Sequence, residues 1–224
     1  ESLLARHGCP CDSVTPWMCY MSVATETGTV YAVAGRTARL HGCDEHGLLL
    51  FLDGARLGSA LTSPESDLTL ADLAALTGVF TIGGTKNGAL FGEAVVLTVP
   101  CPHFRWHITQ RGGMLAKGRL LGVQFDTLFT DDLYFKISRH AIEMAHQIRD
   151  IFVSAGYPLL FDSPTNQQYP IMSDDELAIL GKSFGYEYWE RVDETHSGVR
   201  FCASWATKQE HVEALRAAVN ALKK

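Results

Sequence analysis

The sequence predicts an α/β chain, a largely parallel sheet followed by a smaller α+β domain. Three observations carry this expectation. Short apolar runs at Met18–Val23, Leu48–Leu52, Val79–Ile82 and Ala94–Val99 alternate with helical patterns through the first half. Runs of this kind fit strands buried on both faces and joined by parallel crossovers. Pro100 and Pro102 then break the pattern, and the second half turns to longer helical stripes with short strands between them. Finally, 224 residues with 46% hydrophobic content can bury one large core or two small ones. The boundary falls near residues 100–115, which divides the chain into 1–110 and 111–224.

The elements follow in order. After Met18–Val23, a helical stretch near Ala34–His46 closes at Gly47, placed as a C-terminal stop. Leu48–Leu52 is an apolar strand. Thr69-Leu70-Ala71-Asp72 has the capping-box spacing and opens a helix with Leu70, Leu73, Ala74 and Leu76 on one side. Leu115–Phe129 reads as helical, weakened by Gly118 and Gly122. Thr130 is placed as the N-cap of a long helix with a stripe of Leu133, Ile137, Ala141, Met144, Ala145, Ile148 and Phe152; Gly156 and Pro158 end it. Short strands are expected at Gln168–Met172, Tyr186–Val192 and Gly198–Ala203. Two further capping boxes, Ser173–Glu176 and Thr207–Glu210, open helices, the last with Val212, Leu215, Val219 and Leu222 at helical spacing. No internal repeat or low-complexity segment is present.

Composition excludes several function classes. The net charge of −6 and the absence of any Lys/Arg cluster argue against a nucleic-acid binder. No apolar run is long enough to span a bilayer, and the first residues have no signal-peptide plan. Six cysteines scattered through a core-rich chain read as reduced thiols of a cytoplasmic protein. Cys9 and Cys11 lack a second pair at zinc spacing, and His103 and His107 flank no clear metal helix, so no metal site is expected. His140 and His146 read as packing or solvent residues of the long helix.

Chemistry concentrates at strand ends. Thr25-Glu26-Thr27-Gly28-Thr29 follows the first strand, Asp53-Gly54-Ala55-Arg56 the second, and Gly83-Gly84-Thr85-Lys86-Asn87-Gly88 the third. In open α/β sheets, ligands bind beyond the carboxyl ends of the strands, so the three clusters should converge. A lysine at the end of a buried strand can be desolvated into a nucleophile toward a carbonyl. Asp53 ends a very apolar strand and needs a partner, for which a protonated pyridine nitrogen is one candidate. Arg56 could grip a carboxylate bidentately. Two plainer readings stay open: Asp53 and Arg56 as a surface pair, and the Lys86 segment as a solvated loop.

Taken together, Asp53-Gly54-Ala55-Arg56-Leu57-Gly58, Gly83-Gly84-Thr85-Lys86-Asn87-Gly88-Ala89 and Gly92-Glu93-Ala94 resemble the core motifs of the low-specificity threonine aldolase and β-eliminating lyase family. That family belongs to the type I, aspartate-aminotransferase-like pyridoxal-phosphate enzymes. Thr25–Tyr31, Gln110–Arg119 and Val199–Thr207 are similar to further segments of it, in order. The resemblance implies a type I large-domain sheet, incomplete on its N-terminal side, and a small C-terminal domain. It implies pyridoxal 5'-phosphate as cofactor, held by Lys86 as a Schiff base, with Asp53 on the pyridine nitrogen and Arg56 also in the cofactor site. Arg56 and Arg200 would hold the carboxylate of a small amino-acid substrate. The implied reaction cleaves L-threonine or L-allo-threonine to glycine and acetaldehyde. A β-elimination, a phenylserine-type cleavage or a non-catalytic fragment are the alternatives. Lys117 and Arg119 would reach a cofactor phosphate, of this or of a neighbouring subunit, though a solvated helix face explains them equally well. A homo-oligomer, dimer or tetramer, is implied. The family also carries a substantial segment ahead of the part matched here, with its phosphate loop and ring-stacking residue, and the chain starts at Glu1. An N-terminal stretch beyond Glu1 is therefore expected.

Overall fold

The computed structural model describes residues 16–30 and 42–223. Strands β1 (Met18–Ser22), β2 (Leu49–Asp53) and β3 (Val79–Gly83) lie side by side in that order, all parallel. β4 (Glu93–Leu97) joins β3 antiparallel, which corrects the expectation of a parallel connection at this one strand. The link between them, residues 84–92, is too short for a parallel crossover, which takes a dozen residues or more. β2 also departs from the two-faced burial expected of it. Leu50 and Leu52 are buried while Leu49, Phe51 and Asp53 are half-buried. The first core holds Leu52, Phe80 and Ile82 with residues of the helices on one side of the sheet, whereas Tyr20 beside Phe51 remains 55% exposed.

Residues 42–45 are helical and Gly47 follows in the left-handed region, φ +63°, as its stop position requires. Most of the expected Ala34–His46 helix, like Cys9 and Cys11, lies outside the described residues. α1 (Leu57–Thr62) starts directly after Arg56 and buries Leu57–Ala60, a short helix hidden in the sequence behind the Asp-Gly turn signal. α2 (Leu70–Leu76) has the expected reciprocal capping box between Thr69 and Asp72. Its buried side is narrower than expected, since Leu73 is fully covered but Ala74 is exposed.

α3 (Phe104–Gln110) was not expected, because Pro100 and Pro102 dominate the pattern before it. α4 is confined to Arg119–Phe129. Thr130 caps α4 from behind: its hydroxyl donates to the Asp126 carbonyl at 2.8 Å. A single 3-10 turn (Thr130–Asp132) intervenes before α5 (Leu133–Ser154), whose N-cap is Asp132 with no side-chain bond. The expected Thr130 N-cap is therefore corrected; the hydroxyl is already committed to the preceding helix. α5 crosses both cores. Tyr134 and Ile137 pack in the first, and Met144, Ala145, Ile148 and Phe152 in the second.

The second sheet centres on one strand. β5 (Gln167–Gln168), β6 (Ile171–Ser173) and β7 (Glu187–Arg191) each pair antiparallel with β8 (His196–Cys202). α6 (Asp174–Leu180) carries the expected Ser173–Glu176 box. α7 (Gln209–Leu222) does not carry the Thr207 box: Lys208 is its N-cap, and the Thr207 hydroxyl accepts the Ser204 N–H at 2.9 Å instead. Val212, Leu215 and Val219 are buried as the spacing requires. No described helix is long and apolar enough to cross a membrane.

Candidate active site

Because β1, β2 and β3 run parallel, the residues after them emerge at one edge of the sheet. Asp53 is the last residue of β2, in register with Ser22 of β1, and its carbonyl accepts the Val23 N–H at 2.9 Å. Its carboxylate accepts the Ala55 N–H at 2.8 Å and the hydroxyl of Tyr20. The partners of Asp53 are thus Tyr20 and a backbone amide; no ion pair joins it to Arg56 among the described residues. Tyr20 lies stacked on Phe51, centroids 5.4 Å apart. Its hydrogen bond to the Asp53 carboxylate, then burial, holds its phenol above the usual range.

Backbone packing joins this corner to the lysine loop. The Gly54 N–H donates to Thr81 Oγ1 and the Gly83 N–H to the Gly54 carbonyl, each at 2.9 Å. Buried Asn87 closes the junction, donating from Nδ2 to the Ala55 carbonyl at 3.1 Å and to the Gly83 carbonyl at 2.8 Å. Asn87 therefore ties the loop bearing Lys86 to the turn bearing Asp53. The Lys86 side chain is exposed, so the strand end presents it to solvent instead of desolvating it. Glycine is needed for the close approach: a Cβ on Gly54 would sit 1.9 Å from the Thr81 carbonyl oxygen. Replacing Gly54 with alanine should cost about 3 kcal/mol or more, read as a lowered urea midpoint at unchanged slope.

The second sheet supplies the facing wall. Arg200 on β8 donates from Nη1 to Gln167 Oε1 at 3.0 Å and from Nη2 to Glu187, and its guanidinium lies 5.5 Å from the Trp189 ring centroid. Its Nε is buried with no partner among the described residues. Tyr169 and Gln167 both donate to the Glu26 carbonyl, the latter at 3.3 Å, which pins the turn after β1 to this sheet. In the same turn, a Cβ on Gly28 would meet Ser163 Oγ at 2.0 Å. Burial raises the Tyr169 phenol, and Arg200 and Arg56 oppose that rise, so both guanidinium groups act on one ring. Asn166 donates to the Ala203 carbonyl at 2.8 Å while its Oδ1 is buried without a partner among the described residues. Lys117 and Arg119 are exposed at the start of α4. His140 Nε2–H donates to the Thr207 carbonyl at 2.8 Å, and His146 is half-buried, its pKa lowered first by burial. No group of described residues forms a metal cluster.

These strand ends and the facing arginine can be set beside known proteins. The chain superposes on the structure of a threonine aldolase from Leishmania major with a TM-score of 0.95 and 38% identity, covering 100% of this chain and 66% of that one. Its likeness is to the threonine aldolases. The low-specificity L-threonine aldolase of Pseudomonas aeruginosa is 29% identical over 203 residues, which is 89% of this chain and 58% of the relative. The chain thus spans about three fifths of the curated relative's length. No family model matches the chain. The likeness of fold extends to serine palmitoyltransferase from Sphingomonas wittichii, at TM-score 0.65 and 12% identity. Sequence reasoning missed Tyr20, Tyr169, Gln167, Glu187 and Trp189. Their types carry no motif, and only strand register and packing bring them beside the strand ends and Arg200.

Proposed function

We propose that the chain is part of a pyridoxal-phosphate-dependent aldolase that cleaves L-threonine or L-allo-threonine to glycine and acetaldehyde. The observation that carries this reading is the joining of Asp53 and the Lys86 loop at adjacent parallel strand ends through Asn87. The residues present fit the cofactor at two ends. Lys86 offers an accessible amine for the aldehyde. Asp53 accepts two hydrogen bonds on an acceptor with about four lone-pair sites, which leaves capacity for a protonated ring nitrogen. When bound, pyridoxal phosphate supplies an electron sink for the bond broken at the substrate Cα. The chain's own residues do the rest. Arg56 and Arg200 hold the substrate carboxylate from the two sheets, and that grip selects which Cα bond faces the electron sink. The Arg200 Nε, unpaired among the described residues, is a donor left over for such an anion.

A homo-oligomer fits the exposed Trp106, Leu115, Leu120 and Val123 on and around α3 and α4. A cytoplasmic location fits the free thiols of Cys19, Cys43, Cys101 and Cys202. Residues 1–110 are read as part of the cofactor-binding domain and 111–224 as the interdomain helix and small domain. The test is acetaldehyde release from threonine by the chain supplied with cofactor. Turnover of phenylserine or a β-substituted alanine without any release from threonine would sink the threonine reading.

A further inference from the structure

An arginine that grips a carboxylate side-on uses Nε and the Nη2 hydrogens on the same edge, two parallel donors matched to two oxygens. On Arg200 this edge is half taken. Nη1 is occupied by Gln167, Nη2 by Glu187, and Nε is buried with no partner among the described residues. The pairing follows from register, since Glu187 on β7 stands directly opposite Arg200 on β8. The two side chains differ in freedom. Arg200 is 15% exposed and backed by the Trp189 ring and Gln167, whereas Glu187 is 66% exposed. The arginine is the fixed member of the pair and the glutamate the movable one.

We propose that Glu187 is an internal competitor for the substrate-carboxylate site: it holds the Nη2 half of the Arg200 edge until an amino-acid carboxylate displaces it and takes Nη2 and Nε together. The proposal rests on reading Arg200 as the carboxylate anchor. Nη2 carries two hydrogens, but a second carboxylate on the same nitrogen would lie against that of Glu187, and like-charge repulsion between them favours expelling the exposed Glu187 to solvent. The incoming group gains the otherwise unpaired Nε, which a glutamate on Nη2 alone leaves unsatisfied. This favours a ligand that presents both oxygens in one plane and sets a threshold against weaker anions. Glu187 would thus tune affinity for the carboxylate end of the substrate without touching the bond that breaks.

The test uses glycine as probe, titrated into the chain with and without pyridoxal phosphate. Fluorescence of Trp189, which lies against the Arg200 guanidinium, is the readout, with Trp189→Phe to identify the signal. Glu187→Gln should bind glycine about threefold to tenfold more tightly than the unaltered chain. Glu190→Gln, an exposed charge change on the same strand, should leave the affinity unaltered. Equal or weaker binding by Glu187→Gln would make Glu187 an inert neighbour or a brace and overturn the proposal. So would the absence of any Trp189-dependent response to glycine. Failure of the aldolase reading is seen separately, as no visible absorbance on adding the cofactor, because the fluorescence titration does not depend on it.

Discussion

Replacing Lys86 with alanine is expected to abolish covalent capture of pyridoxal phosphate and to lower threonine cleavage by about a thousandfold or more. The amine is the nucleophile that would bond the cofactor aldehyde, and alanine has none. The loop should survive the change. Its geometry comes from Asn87, from the Asn87 and Ala89 N–H groups on the Gly84 carbonyl at 2.8 and 3.0 Å, and from Gly83 packed on the Asp53 turn. Lys86 itself is exposed. Exposed substitutions away from special features usually change stability by no more than about 0.5 kcal/mol, so an unchanged urea midpoint separates lost chemistry from lost folding. The decisive measurement is intact mass after borohydride treatment with the cofactor. A persistent cofactor-sized mass increment in Lys86→Ala would show that another amine is the anchor.

Asp53→Asn should lower turnover by about a hundredfold to a thousandfold while leaving borohydride labelling at Lys86 in place. The asparagine carbonyl can still accept the Ala55 N–H, so the turn need not rearrange. What disappears is the negative charge. A carboxylate within about 4–6 Å favours the protonated form of a basic nitrogen by roughly 1–3 pKa units, and a neutral amide forfeits most of that. The cofactor would then sit on Lys86 with its ring nitrogen poorly protonated, a weaker sink for electrons from the substrate Cα. Turnover within about threefold of the unaltered chain would remove Asp53 from the ring-nitrogen position. The two substitutions separate attachment from electronic activation, because only the first removes the label.

Features set by neighbours in sequence were legible before the structure. The apolar runs became β1, β2 and β3, and the capping boxes at Thr69 and Ser173 formed as the spacing requires. Each depends on residues within one turn or one strand. The same local logic failed at Thr130 and Thr207, where the hydroxyl had a competing backbone partner, Asp126 in one case and Ser204 in the other. It also failed for β4, whose direction depends on the length of its connection and not on its apolar composition.

By itself, the sequence determined which groups stand at the strand ends, Asp53, Lys86 and the Thr25–Thr29 turn, because hydrophobic period and turn glycines are local properties. Only the tertiary structure decided what surrounds them. Gln167 and Tyr169 meet the Glu26 carbonyl across 141 and 143 residues of chain, and Glu187 reaches Arg200 by strand register. Such partners are chosen by packing and cross-strand pairing, in which residues distant in sequence compete for one donor or acceptor. The state of the Arg200 edge, half occupied and half unpaired, is a property of that competition.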